Sequence, residues 1–592
     1  MNSGSSDSKG YTGSMIPGDG SAVMRSATRS RLGWELLLVL LVLVVFANSF
    51  PGAFITDDYP IVLDNPLVIE PNLRILFAAD YWGWGVNSGL HRPLTILSYA
   101  VNRALFGPGV LAFHAVNVLL HAGVALLLLR IFLVLGFGMS VAWSAAAIFA
   151  VHPIHTEAVN IVTGRSELLA AFFLFFALLM AFRAGRWHRV AVGASYAAAL
   201  LSKESAAVLP LLLVLGDTYI NRQWRDLLRR RWALYAQVAL TTLAWLAMRR
   251  WALPFAHLPS NIPYALDNPL VELPRIWGLF TALKVQVLYV GTMIFPAGLN
   301  AIYVESMFGA VRSLADPWWA LLLLMLLAAV VITYLGWRRR EAFALGMLWQ
   351  GAAALVTANL FVVTPFLMAE RFTYAPSAGF ALAAAGLVAA AVRGVGSARQ
   401  ERAIKSLFVV WMTLLAGSTL LRNQDFQDGL RLWQHEVRQR PDNTRAWILL
   451  GGALDEAGRT QEAEEAYRQA QRLTPGFVET QLALGSLHLR LGRASDARDD
   501  YLRILEQGVT SYLALFGLAR ASLELGDTTG TLSALERLPS FFQERPEYWQ
   551  LTGEALERAG EYREAANAYG KALACGGESS EIRERLRRVS GE

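Results

Sequence analysis

Long apolar runs recur over the first 421 residues and constrain the fold more than any other feature of the sequence. Most of these runs are about 17–25 residues long, the length that an α-helix needs to cross a bilayer. Across all 592 residues, 54% are hydrophobic and 17% are charged, a higher apolar share than soluble chains of this size have. The sequence therefore predicts an all-α protein whose larger part is a polytopic transmembrane bundle.

Basic loops set the orientation of the bundle, because Arg and Lys concentrate on the cytoplasmic side of short loops. About eleven spans, chosen by length and hydrophobicity, bring all the basic loops to one side. The predicted spans lie near 33–50, 111–135, 139–151, 167–182, 189–201, 206–220, 232–248, 317–336, 342–366, 375–393 and 404–421. Segment 275–296 is also apolar, but a crossing there would reverse the side of residues 338–340. We therefore interpret it as a helix at the outer interface or packed against the bundle.

The chain divides into three parts. Residues 1–31 are rich in Gly and Ser and lack a hydrophobic centre, which predicts a disordered cytoplasmic tail and not a signal peptide. Residues 32–421 form the membrane domain, with long outer loops at 51–110 and 249–316, where chemistry is expected.

The net charge of +6 does not indicate nucleic-acid binding, since arginines cluster beside membrane exits. A single cysteine excludes an intrachain disulfide and a cysteine metal cluster.

A repeat of small and aromatic residues begins after residue 421. Its first two copies contain Trp447, Leu450, Gly451, Leu454, Ala463, Tyr467, Ala470 and Pro475, then Leu484, Gly485, Ala497 and Tyr501. Phe516 begins a degenerate copy, and Trp549 begins a clear fourth one. The spacing fits the tetratricopeptide repeat (TPR) and predicts an α-solenoid domain over 422–592, on the outer face. Its concave surface would bind a peptide or partner; a stabilising appendage without a ligand is the alternative.

Two adjacent carboxylates, Asp57 and Asp58, follow the first span by a few residues. A carboxylate in this position can accept the proton of an attacking hydroxyl, or it can hold a divalent metal that bridges a donor phosphate. A solvated loop pair or a helix cap is the structural alternative. We predict that this pair is the catalytic site.

Three cations are expected at the same outer level as the acidic pair: Arg92, Lys203 and Arg371. Arginine binds phosphate through two parallel hydrogen bonds, and a lysine within an apolar stretch indicates function. Tyr374 can donate a further hydrogen bond. We predict that these four residues bind a donor phosphate; ordinary interfacial cations, with Lys203 paired to Glu204, are the alternative.

A histidine-rich motif follows the third span. His152, His155 and Glu157 have a spacing that could hold zinc or another divalent ion. Positioning of substrate hydroxyls or of the acidic pair is the preferred interpretation for these three residues, together with His91 and Arg165. No cofactor is predicted firmly, and the chain has neither a Walker-type loop nor a dinucleotide-binding glycine motif. A cytoplasmic nucleotide-sugar site is therefore not expected.

Taken together, these motifs resemble the TMTC proteins, the transmembrane and tetratricopeptide-repeat O-mannosyltransferases of the GT-C type, and their bacterial relatives. The matching segments are 57–58, 92–94, 113–117, 152–159, 164–165, 201–204, 369–377, 422–425 and 432–433. The resemblance extends over about 34–572. One departure is segment 298–303, Gly-Leu-Asn-Ala-Ile-Tyr, where the family usually has an acidic residue.

The resemblance implies transfer of a sugar, typically mannose, from a polyprenyl- or dolichyl-phosphate donor to Ser or Thr hydroxyls of proteins. It makes Asp57 the base, with Asp58 beside it, and the three cations ligands of the donor phosphate. Two alternatives are a GT-C transferase that acts on a glycolipid or envelope polymer, and a non-catalytic membrane scaffold. We expect a bacterial inner membrane with the TPR domain in the periplasm, or the endoplasmic reticulum membrane in a eukaryote.

Overall fold

The computed structural model describes residues 20–82, 88–183, 185–221, 224–253, 268–509, 511–576 and 580–591. These residues form α-helices, short 3-10 and π turns and loops, with no β-strand among them, as the sequence predicts. Residues 1–19 of the predicted tail lie outside the described ranges. Residues 20–31, also assigned to that tail, belong to the first helix.

Within the described ranges, sixteen α-helices precede the repeats. They are α1 (Gly20–Val45), α2 (Pro66–Ile69), α3 (Leu73–Leu76), α4 (Pro93–Phe106), α5 (Val110–Val134), α6 (Met139–Val151), α7 (Thr156–Asn160), α8 (Arg165–Ala181), α9 (His188–Ser202), α10 (Leu209–Ile220), α11 (Trp224–Ala252), α12 (Arg275–Ile294), α13 (Trp318–Arg338), α14 (Ala342–Ala354), α15 (Ser377–Gly394) and α16 (Ala398–Asn423).

The centre of this bundle is built from α5, α6, α8 and α15, whose apolar side chains form one continuous core. α14 packs on α15 where two glycines face each other. A Cβ atom on Gly346 would lie 2.5 Å from the Gly379 carbonyl oxygen, and one on Gly379 would lie 2.3 Å from the Gln350 nitrogen. Small residues at such crossings let two membrane helices approach closely. The bundle is therefore a packed frame on which the outer loops are mounted.

Six described helices are long and apolar enough to cross a membrane: Val110–Val134, Val162–Ala181, Arg275–Ile294, Trp318–Arg338, Ser377–Gly394 and Ala398–Gln427. Met139–Val151 and Ala342–Ala354 are apolar but shorter. The predicted number of about eleven spans is therefore not confirmed. The segment that we interpreted as an interfacial helix forms α12, which meets the criteria for a span in length and composition.

One predicted span, 342–366, is wrong in its second half. α14 ends at Ala354, and residues 355–369 have no regular helix. The physical reason lies in the sequence of this segment. Pro365 has no backbone N–H and disfavours helical geometry at Thr364, while Asn359 adopts a left-handed conformation with φ 58°.

The TPR domain contains ten helices: α17 (Gly429–Gln439), α18 (Thr444–Glu456), α19 (Thr460–Leu473), α20 (Val478–Arg490), α21 (Ala494–Glu506), α22 (Tyr512–Glu524), α23 (Thr528–Glu536), α24 (Pro546–Ala559), α25 (Tyr562–Ala574) and α26 (Ser580–Ser590). The repeat residues meet as expected. A Cβ atom on Gly451 would lie 2.4 Å from the Tyr467 ring, and one on Gly485 would lie 2.7 Å from the Tyr501 ring. The glycine thus makes room for the aromatic ring in each repeat.

The TPR domain is docked on the membrane domain through an apolar cluster. Ile55 and Ala301, from the two outer loops, are buried in the core formed by Leu432, Trp433 and Leu450 of the first TPR helices. Segment 298–303, which departs from the family pattern, thus has a structural role, because its Ala301 is part of this core. The TPR solenoid and the two outer loops therefore share one apolar core.

A buried polar cluster reinforces the same junction. Arg422, at the end of α16, donates to Glu370 at 3.1 Å and to the Leu299 carbonyl at 2.8 Å. Glu436 of α17 accepts from the Ala301 backbone N–H at 2.9 Å. Burial raises the pKa of Glu370 to about 8 and that of Glu436 to about 7, although Arg422 opposes both shifts. Two carboxyl groups thus share one arginine, and at least one of them is expected to carry a proton near neutral pH.

This cluster predicts that stability falls as pH rises. The pKa of Glu370 is raised on folding from 4.5 to about 8, so its contribution is fully present below pH 4.5 and is lost as pH rises through 8. Glu370→Gln removes the titrating proton and should flatten the dependence of Tm on pH, measured by thermal unfolding of purified protein between about pH 5 and 9. The exposed Glu564→Gln is the control. Equal slopes in both variants would contradict the assignment.

Candidate active site

The segment 53–58, which connects α1 to the first outer loop, is held against the TPR domain. The Ala53 N–H donates to the Gln427 carbonyl at 2.7 Å, and Ile55 is 1% exposed within the docking core. Thr56 then adopts φ 44°, a strained conformation for a β-branched residue that persists only where its surroundings enforce it. The turn at Thr56 gives the next two carboxylates different environments.

Asp58 is fully buried and anchors the backbone. Its carboxylate accepts from the N–H groups of Ile55 at 3.0 Å, Thr163 at 2.8 Å and Val162 at 3.3 Å. Burial raises the pKa of Asp58 to about 6, while these donors oppose the rise. Asp58 therefore joins the first outer loop to the turn before α8, and its oxygens are committed to that task.

Asp57 differs from Asp58 in its exposure and in its hydrogen bonding. Its side chain is exposed, and among the described residues no group donates a hydrogen bond to its carboxylate. Desolvation raises the pKa of Asp57, and Glu157 adds to this, whereas Arg371 and Arg445 oppose it. An accessible carboxylate without a fixed partner, on which the charges of Arg371 and Arg445 act, has the properties of a general base.

Arg371 is the predicted cation most closely coupled to Asp57. Its side chain forms an ion pair with Glu157, and its backbone N–H donates to the same carboxylate at 2.8 Å. Its guanidinium lies 5.3 Å from the Phe366 ring and 5.5 Å from the Phe372 ring. The Arg371 side chain remains 30% exposed, whereas that of Glu157 is 2% exposed. Glu157 thus positions the arginine and leaves part of it accessible to a ligand.

The other two predicted cations are also paired with glutamates. Arg92 binds Glu204 through two hydrogen bonds, at 2.7 and 3.1 Å, and lies 5.0 Å from the Tyr81 ring. Lys203 forms a buried ion pair with Glu167. The suggested alternative pairing of Lys203 with Glu204 is therefore wrong, because Lys203 turns toward α8 and Glu204 toward α4.

These three ion pairs belong to one cluster. The ring of Phe372 lies 5.8 Å from the Lys203 ammonium and 5.5 Å from the Arg371 guanidinium. Arg92 and Arg371 each lower the pKa of Lys203, which burial lowers further. The structure thus brings together the three cations that the sequence suggested, and Arg371 connects them to Asp57.

Tyr374, predicted as a phosphate ligand, points elsewhere. It is 1% exposed, and its hydroxyl lies 2.7 Å from Nδ1 of His121 inside the bundle. Because the hydroxyl is enclosed by the packed core, it cannot reach a ligand at Arg371. The phosphate-binding prediction for Tyr374 is wrong.

His91 and Arg165 form hydrogen bonds that hold the fold together. Nε2 of His91 lies 2.9 Å from the Phe77 carbonyl oxygen, within the first outer loop. Arg165 is fully buried and donates to the side-chain oxygens of Asn117 at 2.9 Å and Asn102 at 3.0 Å. Any effect of these two residues on a substrate must pass through the loop and helix that they hold.

The donor atoms of the histidine motif are engaged in the protein, except for the buried Nδ1 of His155, and this argues against the zinc hypothesis. His152 contacts the Met293 carbonyl oxygen at 2.8 Å through Nε2 and accepts from the Ile154 N–H through Nδ1. His155 is buried, with Nε2 3.3 Å from the Ser377 hydroxyl, and Glu157 is bound to Arg371. Within the described ranges no group of three His, Cys, Asp or Glu side chains is arranged to hold a metal.

Arg445 is a residue that the sequence did not single out. It lies at the start of α18, and its charge lowers the pKa of Asp57. Its guanidinium is 3.6 Å from Glu479 and 5.6 Å from the Phe477 ring, both in the next repeat. Its position two residues before the repeat tryptophan gave a weak hint, because that position lies on the inner helix of a TPR unit. The TPR domain thus contributes a cation to the surroundings of Asp57.

Known proteins are similar to this chain in its repeats and over most of its length. The tetratricopeptide repeat model TPR_16 matches residues 414–476 and 482–547. A protein O-mannosyl-transferase of Caenorhabditis elegans, F38B6.6, is 26% identical over an alignment that covers 79% of this chain and 66% of the relative. Human TMTC3 is 25% identical, with 79% and 54% covered, and Drosophila melanogaster Tmtc1 is 27% identical, with 75% and 62% covered.

The chain is a relative of the TMTC protein O-mannosyl-transferases. It spans 54 to 66% of the length of these three curated relatives. Two solved TPR structures are also similar. YrrB, described as a TPR protein with an unusual peptide-binding site, is 14% identical, covers 27% of this chain and 82% of its own, and gives a TM-score of 0.25. A crystal structure of MamA is 21% identical, with 28% and 96% covered and a TM-score of 0.25.

The contrast between the two aspartates yields a stability prediction. Asp58→Asn replaces a buried acceptor oxygen with an N–H donor that faces backbone N–H groups, so it should lower the free energy of unfolding by about 1–3 kcal/mol. Asp57→Asn should leave stability unchanged, because the side chain is exposed. Thermal unfolding of the two purified variants gives the comparison. A stable Asp58→Asn protein, or an unstable Asp57→Asn protein, would be inconsistent with these roles.

Proposed function

We propose that this protein is a membrane glycosyltransferase that moves a sugar, typically mannose, from a polyprenyl- or dolichyl-phosphate donor to Ser or Thr hydroxyls of proteins. The observation that carries the proposal is the accessible carboxylate of Asp57, electrostatically coupled to Arg371 within a cluster of ion-paired cations. The names of the curated relatives support a protein acceptor and an O-linked mannose.

The proposed reaction is a single displacement. The acceptor oxygen attacks the anomeric carbon of the sugar, and Asp57 takes the hydroxyl proton as the new C–O bond forms. The bond between the anomeric carbon and the phosphate oxygen breaks, and the lipid phosphate leaves with the electron pair. The configuration at the anomeric carbon is inverted, because attack and departure occur on opposite faces.

Arg371 is the residue proposed to stabilise the leaving phosphate. Its guanidinium has five N–H donors, and Glu157 engages only part of them. Arg92 and Lys203 lie in the same cluster, and each is held in place by its glutamate before the donor arrives. Prepositioned donors of this kind stabilise developing charge without reorganisation at the moment of reaction.

The acceptor is proposed to approach along the first TPR helices. Ile55, two residues before Asp57, is packed in the core of α17 and α18. Arg445 of α18 acts electrostatically on Asp57 and is ion-paired to Glu479 at the start of α20. A polypeptide on the inner helices α18 and α20 would therefore pass close to the base. In the predicted topology this site lies on the outer side of the membrane.

Asp57→Asn tests the proposal. Loss of the base should reduce transfer of mannose from a polyprenyl-phosphate donor to a Ser/Thr peptide by about 10²-fold or more, measured by intact-mass analysis of the peptide. Asp64→Asn is a matched control, because Asp64 is an exposed carboxylate of the same loop and should retain activity. Normal transfer by folded Asp57→Asn would contradict the mechanism.

A further inference from the structure

The irregular segment after α14 exposes three consecutive apolar side chains. Phe361 is 81% exposed, Val362 is 70% exposed and Val363 is 46% exposed. Within the described ranges, Phe361 is the most exposed large hydrophobic side chain. Exposed apolar patches of this kind mark sites that bind lipid, protein or another apolar ligand. We call residues 361–363 the apolar tip.

The apolar tip is presented by a braced loop. The side-chain oxygen of Asn359 accepts from the Thr364 N–H at 2.6 Å and from the Asn268 amide at 3.1 Å. The Asn359 amide donates to the Leu367 carbonyl at 3.4 Å, and Asn268 is fully buried. These hydrogen bonds hold the backbone that follows the tip against Asn359 and Asn268. The exposure of the tip is thus built into the fold.

The same segment leads directly to the cation cluster. Phe366, at its end, lies 5.3 Å from the guanidinium of Arg371. Phe361 and Phe366 are five positions apart in the chain, so their Cα atoms are separated by at most about 18 Å. A ligand with an anionic group at Arg371 and an apolar chain attached to it could therefore reach the tip. A bilayer phospholipid also joins apolar chains to a phosphate, so it is the competitor that the tests below must separate from a polyisoprenyl phosphate.

We propose that Phe361, Val362 and Val363 bind the isoprenoid chain of the lipid-phosphate donor, next to the phosphate at Arg371. This assignment rests on the proposed function for the identity of the ligand. The braced loop orders the first isoprene units, so that the sugar–phosphate bond is directed at Asp57. Bulk acyl chains and an apolar peptide are the competing occupants, and each is an outcome of the tests below.

Photolabelling tests the site without relying on catalysis. The probe is a polyisoprenyl phosphate with a diazirine in its first isoprene units, added to the full-length protein in lipid nanodiscs. We expect adducts within 359–366, competed away by unlabelled polyisoprenyl phosphate and not by an excess of phosphatidylglycerol. Adducts on α13 or α16 instead, or equal competition by the phospholipid, would overturn the assignment.

Kinetics with two donors supply the second test. In the double variant Phe361→Asn with Val362→Asn, the KM for a long-chain donor should rise about tenfold, as loss of this much apolar contact implies. The kcat and the KM for a water-soluble donor that carries a methyl group in place of the isoprenoid chain should be unchanged. Leu314→Asn is the control, because Leu314 is 71% exposed in the other outer loop. An unchanged KM, or an equal rise for both donors or in the control, would refute the proposal.

The proposed function and the assignment of the apolar tip can be contradicted independently. If Asp57→Asn abolishes transfer and the double variant behaves like the wild type, the assignment of the tip is wrong and the proposed function stands. If the wild type transfers no sugar from any lipid phosphate while adducts still map to 359–366, the proposed function is wrong and the binding site stands.

Discussion

Burial of Ile55 in the core of the first TPR helices is the contact on which the rest of the outer face depends. It fixes the short segment between α1 and the first outer loop, and it makes the strained turn at Thr56 tolerable. The turn then sends Asp58 inward, to three backbone N–H groups, and leaves Asp57 accessible. A solenoid that docks in this way is part of the site and not an appendage.

Charge pairing is the second constraint. Arg92, Lys203 and Arg371 lie at the outer end of an apolar bundle, where unpaired charges would be costly. Each is matched by a glutamate from a different part of the chain: Glu204, Glu167 and Glu157. The pairing holds the cations in place while the site is empty of donor and keeps the cluster close to neutral. Single substitutions of these charged residues are therefore expected to affect folding as well as activity.

Periodicity and residue type were sufficient to predict the helical class, the TPR repeats and the grouping of three cations, whereas the choice of Asp57 over Asp58 came from the family resemblance. The TPR positions were predictable because the Gly451–Tyr467 contact recurs with the repeat. The ion-pair partners were not, since they depend on which helices meet in space: Glu167 lies on α8, 36 residues before Lys203. Tyr374 was misjudged because a span boundary in sequence does not tell which way a side chain faces. The end of α14 was misjudged because hydrophobicity masked the effects of Asn359 and Pro365.

A structure of the protein with a bound polyprenyl-phosphate sugar, or an analogue that cannot be cleaved, tests the central claim most directly. The account predicts a phosphate oxygen about 3 Å from the Arg371 guanidinium, with the anomeric carbon facing Asp57 and the first isoprene units against Phe361. A donor phosphate bound away from Arg371, or an anomeric carbon beyond the reach of Asp57 with an intervening hydroxyl, would contradict it.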